Sequence, residues 1–201
     1  MKIETGTVTI VRITGIEASH SLDPIRVTLD DIEPGKGRIT IECWGKAWAS
    51  YWGGMGSQTI AQFFVGCNNG YLIDNLAYGQ QLERTRYSAD ALVKLAEKTI
   101  CERRRSATPA WLDLGGLEKD AARELFNDVG DLAYLEDPMS CWSQSTLLTS
   151  IFGEEWFHYI DGRAAEPNPE YVYLDRIVTA VREALQCLQA SKAEQTEEVA
   201  A

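Results

Sequence analysis

Long apolar runs are missing from this sequence. No window approaches the roughly 18 uninterrupted apolar residues that a membrane-crossing helix needs. The opening Met1-Lys2-Ile3-Glu4-Thr5-Gly6 has no apolar stretch behind its single lysine. The chain therefore reads as neither exported nor membrane-spanning. Cysteine is sparse and badly placed for cross-linking. Cys43, Cys67, Cys101, Cys141 and Cys187 are odd in number, widely spaced, and form no CxxC pair or Cys/His cluster. That pattern indicates neither a disulfide framework nor a zinc site and points to reduced thiols in a cytoplasmic protein. Histidine occurs only twice, at His20 and His158, which leaves histidine-based catalysis few candidates.

What is present is ordinary globular material. The 201 residues are 45% hydrophobic and 24% charged, enough to bury a core and too apolar for extended disorder. The net charge of −11 is the unusual feature, and it is uneven. Residues 1–78 carry six basic and eight acidic side chains, residues 79–105 seven and four, and residues 106–201 six and eighteen. Such a field repels phosphate backbones and attracts basic surfaces, so direct nucleic-acid binding through the C-terminal half is disfavoured. Solubility alone is the competing explanation.

Residues 3–13 are rich in β-branched side chains, with polar Thr alternating against Val and Ile, and suit a half-buried strand. Ile25 to Leu29 alternates cleanly, and Arg38 to Trp44 follows the turn-forming Pro34-Gly35-Lys36-Gly37. Three strands in series predict an antiparallel meander. The period then changes. Ser57 is a plausible N-cap for a short helix carrying Ile60, Phe63 and Phe64, stopped by Cys67-Asn68-Asn69-Gly70. Residues 88–104 start with a Ser88-Ala89-Asp90 cap signal and place Leu92, Leu95, Ala96, Thr99 and Ile100 on one helical face, and Leu117, Ala121, Leu125 and Val129 form a stripe with acids opposite. Residues 143–152 and 154–160 predict short helices around Gly153. A longer helix follows Glu166-Pro167-Asn168-Pro169, with Tyr173, Ile177, Val181, Ala184, Leu185 and Leu188 on its apolar side. Beyond Ser191 the chain has little to bury and predicts a frayed or disordered acidic tail over 191–201. Strands first and helices afterwards predict an α+β fold, a small antiparallel sheet packed against helices. The expected organisation is a single domain over 1–190, with a sheet region at 1–56 and a mainly helical region at 57–190.

The most distinctive stretch runs from Cys43 to Gly56 and holds Trp44, Trp48, Tyr51 and Trp52 before a glycine-rich hinge. A spacing of four puts the three indoles on one face of a helix, and on one face of a strand as well, because four is even. Either geometry predicts a contiguous aromatic surface. Such a surface can anchor a protein interface, or stack on bases or sugars with Lys46 or Arg38 near a phosphate. Alternatively the indoles are core between sheet and helices. Gly53-Gly54-Met55-Gly56 lacks the Lys-Ser/Thr of a phosphate loop and the spacing of a dinucleotide fingerprint.

No catalytic or metal-binding signature emerges elsewhere, and no cofactor is implied. His20, among serines in a polar stretch, reads as a solvated loop residue, and His158, between Trp156, Phe157 and Tyr159, as a core or interface histidine. Asp128, Asp131, Glu136 and Asp137 are the densest carboxylates before the tail, but their spacing matches no EF-hand or other metal motif. They read as a solvated acidic face. Glu102-Arg103-Arg104-Arg105 ends a helix with positive charge, which its dipole favours without any nucleic acid.

Over roughly the first 75 residues, Ile39 to Trp48, Tyr51 to Gly56 and Thr59 to Phe64 resemble a group of small accessory proteins encoded by tailed phages and prophages of enteric bacteria. The shared motifs carry no assigned chemistry, and no catalytic residue is carried over. The resemblance implies a phage accessory product in the host cytoplasm that acts by binding other proteins. The partner expected is a host or phage protein with a basic surface, engaged by Trp44, Trp48, Tyr51 and Trp52 and by Asp128, Asp131, Glu136 and Asp137. If that surface normally holds DNA or RNA, binding would inhibit a host defence or nucleic-acid-processing protein. Self-association is compatible with this reading. The alternative is a small-ligand or nucleotide-binding protein, even an enzyme, with Trp44, Trp48 and Trp52 as a stacking wall and Asp128 or Asp131 near a metal.

Overall fold

The computed structural model describes residues 3, 5–16, 22, 24–105 and 114–200, with side chains described as far as residue 191. The fold is α+β, and its contacts divide into two compact units. The first joins Met1–Leu82 to Pro169–Ala201, and the second is Glu83–Asn168.

The first unit is built on an antiparallel meander of four strands, β1 (Thr9–Ile13), β2 (Ile25–Glu33), β3 (Lys36–Cys43) and β4 (Lys46–Trp52), in the order β1-β2-β3-β4. The fourth strand is the aromatic segment itself. Its pairing with β3 sets Trp48 opposite Ile41 and Trp52 opposite Gly37. One face of the sheet carries Ile25, Val27, Leu29, Ile39, Ile41, Cys43, Trp48 and Trp52, all buried. Three helices cover it: α1 (Ile60–Gly66), α2 (Asn69–Leu76) and α7 (Pro169–Ala200). Burial of these side chains stabilises the unit by about 25 cal/mol per Å² of apolar surface removed from water.

Local chemistry fixes the helix starts. Thr59, not Ser57, caps α1, in a capping box that its side chain shares with Gln62. A register shift between Asp31 and Glu33 in β2 lies beside a further cap: Asp31 Oδ1 accepts the Ile60 N–H at 2.7 Å. Asn68 accepts from the Tyr71 N–H and starts α2, so the segment that stops one helix begins the next. Gly35 has φ +75°, and a Cβ there would lie 2.2 Å from the Gly56 carbonyl oxygen, so only glycine fits. In α7, Leu174, Ile177, Val178, Val181 and Leu185 form the buried stripe. Arg182 of the same helix donates to Asn69 Oδ1 and the Val65 carbonyl, tying α7 to α1 and α2. The helix extends through Ala200, across the stretch from Ser191 for which the sequence suggests fraying.

The second unit is mainly helical. It contains α3 (Ala89–Arg104), α4 (Lys119–Asp128), α5 (Ser145–Phe152), α6 (Trp156–Ile160), two 3₁₀ turns (Val129–Tyr134 and Ser140–Gln144), and a two-stranded ribbon of β5 (Thr85–Tyr87) and β6 (Ala165–Pro167). Its separate core contains Leu92, Ala96, Ile100, Leu132, Cys141, Leu148, Ile151, Phe152 and Trp156. Ser88 caps α3, as its sequence predicts. Arg103 fastens that helix to its surroundings by donating to the carbonyls of Gly115 and Ile151 at 3.1 and 3.0 Å. Burial lowers the Arg103 pKa from its ordinary value.

Candidate partner-binding site

The aromatic segment does not form one wall. In β4, alternation puts Trp48 and Trp52 into the core, at 7% and 6% exposure. Trp48 packs against Tyr173, with ring centroids 6.1 Å apart. Trp52 sits against Phe63 and Phe64, and its indole N–H donates to the Tyr71 hydroxyl at 3.0 Å. The apolar surface and the polar atom of Trp52 are both used inside the fold, which makes it a structural residue.

Trp44 lies outside the strand, because Cys43 pairs with Lys46 and leaves Trp44-Gly45 as a two-residue turn. Both have positive φ, 48° and 75°, as a turn of this length requires when it follows the strand twist. Asn or Asp usually takes the first position. A tryptophan there, 67% exposed, is a strained choice that packing does not explain. Tyr51 is also exposed, on the outer face of the sheet opposite Arg38. Of the four aromatic candidates, two are core and two are surface.

The carboxylates belong to the second unit. Asp128, Asp131, Glu136 and Asp137 are all exposed, and among the described residues no ion pair engages the first three. Asp137 has a local task. Its Oδ1 accepts the N–H groups of Met139 and Ser140 at 2.8 and 2.9 Å, which starts the following 3₁₀ turn. Among the described residues no group of three or more His, Cys, Asp or Glu side chains is placed to hold a metal ion.

Sequence reasoning missed the apolar residues that lie among these acids and just after them. Tyr134 is 83% exposed, Met139 69% and Trp142 53%. Trp142 is nonetheless held firmly, edge-on to buried Trp156 at 4.8 Å and stacked on Phe157 at 5.7 Å. The stretch from Asp128 to Trp142 thus presents three free carboxylates and three large apolar side chains, from the end of α4, two 3₁₀ turns and the loop between them. The signal was present in the sequence as Tyr134, Met139 and Trp142 falling outside any regular apolar period. Short 3₁₀ turns have no period long enough to separate core from surface.

His158 is exposed, with 80% of its side chain accessible and Glu155 3.9 Å away, so it is not the core histidine that its aromatic neighbours suggest. His20 lies outside the described residues. Each unit also pairs a buried cysteine with a tyrosine. The Tyr173 hydroxyl donates to Cys43 Sγ at 3.3 Å, and the Tyr87 hydroxyl lies 3.4 Å from Cys141 Sγ. Burial, then the thiol contact, raises both phenols, Tyr173 to about 12. Burial likewise raises the Cys141 thiol, so the described geometry marks it as an inert packing group.

A family model described as a phage family (Phage_phiTE_072) matches residues 1–187. The chain belongs to this phage protein family. No curated protein and no solved structure matches it. No helix among the described residues is long and apolar enough to cross a membrane.

Proposed function

We propose that this phage protein acts by binding a host or phage protein with a basic surface, through the acidic and apolar stretch from Asp128 to Trp142. The observation that carries this reading is the presence of unpaired carboxylates together with exposed Tyr134, Met139 and Trp142 on a short segment backed by a core. Protein interfaces draw their energy from a few large aromatic anchors, and tryptophan and tyrosine dominate among them. Anchors whose geometry is fixed before binding lose less entropy on association. Trp142, braced by Trp156 and Phe157, meets that condition. The surrounding carboxylates add selectivity for a basic partner and faster encounter, an effect that salt screens.

A basic surface that normally holds DNA or RNA is the partner chemistry that such acids would imitate. Occupying it would inhibit a nucleic-acid-processing or host defence protein. Trp44 and Tyr51, though exposed on the first unit, are not among the anchors under this reading.

The test is affinity capture of partners from lysate of the bacterial host, with and without added salt. A specific partner should be held by the wild-type chain, released by salt, and bound at least about tenfold more weakly by Tyr134→Ser/Met139→Ser. Both side chains are mostly solvent-exposed, so the double variant should keep its melting temperature within a few degrees. Capture that ignores both salt and the double substitution would contradict the proposal.

A further inference from the structure

Between α3 and α4, inside the second unit, runs a groove of about 340 Å³. Ile100, Cys101, Arg104 and Arg105 of the α3 side and Lys119, Ala122, Arg123, Phe126 and Asn127 of the α4 side line it. Four of these nine residues are cationic and none is acidic. On α4 the spacing explains the sorting. Lys119, Ala122, Arg123 and Phe126 are i, i+3, i+4 and i+7 and share the groove face, whereas Asp120, Glu124 and Asp128 form the stripe pointing away. Arg103 is occupied with backbone carbonyls, but Arg104 and Arg105 are exposed, as are Lys119 and Arg123. Among the described residues no ion pair engages any of the four. A helix dipole accounts for basic residues at the end of α3 but not for Lys119 at the start of α4, where the dipole disfavours it, nor for Arg123 in mid-helix.

Four unneutralised cations around a partly apolar floor call for an anion of several charges that also has something apolar to bury. The groove volume lies in the range of small-molecule sites. Arginine forks match phosphate oxygens in pairs, and half-exposed Phe126 offers a ring on which a base can stack. An extended polyanion fits less well. The unit has sixteen acidic and ten basic residues, so a long phosphate backbone leaving the groove meets a repelling surface. We infer that the groove between α3 and α4 binds a nucleoside polyphosphate, with the phosphates on Arg104, Arg105, Lys119 and Arg123 and the base against Phe126. None of its lining residues belongs to the Asp128–Trp142 surface or to the buried indoles.

The experiment is equilibrium binding of a ribose-labelled fluorescent ATP to the full chain, with competition by ATP, GTP, inorganic triphosphate and a single-stranded oligonucleotide of about 20 nucleotides. Saturable binding in the micromolar range is expected, as for many nucleotide sites. Arg104→Gln/Arg123→Gln should weaken it at least about thirtyfold, since each change removes a charge-assisted phosphate contact. Phe126→Ser should weaken ATP about fivefold to tenfold and leave triphosphate unchanged. Four outcomes would overturn the assignment. These are no binding at about 1 mM by protein with an unaltered circular dichroism spectrum, affinity unmoved by the arginine substitutions, triphosphate competing as well as ATP, or the oligonucleotide binding more tightly than either. The last would make the groove a polyanion track.

Discussion

The two units set their large aromatic side chains by different rules. In the first, sheet alternation drives Trp48 and Trp52 into a buried interface with α1, α2 and α7, and the indole N–H of Trp52 is satisfied by Tyr71. In the second, Trp156 is core, but its neighbour Trp142 lies half in water on top of it. A long strand has a side that must be buried, so a residue's parity decides its fate. A 3₁₀ turn has no such rule, and its large side chains can be held in place without being covered. The aromatic-rich segment is therefore mostly scaffold, and the less conspicuous stretch from Asp128 to Trp142 leaves more large apolar side chains exposed.

The largest effect should come from breaking either core. Trp52→Ala removes a buried indole and is expected to cost about 3–5 kcal/mol, and Leu148→Ala in the second core about 2–5 kcal/mol. Hydrogen exchange followed by mass spectrometry distinguishes the units. Trp52→Ala should speed exchange in β3 and β4, and Leu148→Ala in α3 and α5, each with a smaller change in the other unit. Equal acceleration everywhere would show that the chain opens as one cooperative body.

A smaller effect separates the units at high pH. Tyr173 is raised to about 12, chiefly by burial. The unfolded phenol loses its proton near about pH 10, so its contribution to stability is complete below that pH and disappears as pH rises through about 12. Melting temperature should therefore fall across this window, and Tyr173→Phe should lessen the fall. A profile identical to wild type would mean that Tyr87 in the other unit, raised for the same reason, controls alkaline unfolding.

The smallest effect concerns Trp44. Replacing it with asparagine, which tolerates positive φ, should stabilise the chain by about 0.5–1 kcal/mol in a denaturant melt. A clear loss instead would show that Trp44 packs on something in the folded state.

Much of the scaffold was legible in the sequence because it repeats. Alternation exposed β2 and β3, and Ser88 announced α3. The fourth strand was not legible, because an interval of four satisfies helix and strand alike, and only pairing with β3 decides between them. Ser57 and Thr59 both look like caps. Thr59 prevails because Gln62 closes the box from three residues on. The division of the contacts was also hidden, since the first unit is completed by α7, about ninety residues after its last helix. For the site, the acids were visible and their aromatic companions were not. Arg104 and Arg105 looked like a helix end until α4 supplied Lys119 and Arg123 across the groove.

The central claim is that the partner sits on the second unit and not on the aromatic segment. Its most direct test is to titrate a salt-sensitive captured partner against two variants whose melting temperatures match the wild type. Asp128→Lys/Asp131→Lys/Glu136→Lys should weaken binding about a hundredfold or more, because each reversal sets like charge against a basic surface. Trp44→Ala/Tyr51→Ala should weaken it less than about threefold. The reverse pattern, with binding lost in the aromatic double variant and kept in the charge-reversed one, would contradict the account and move the interface to the first unit.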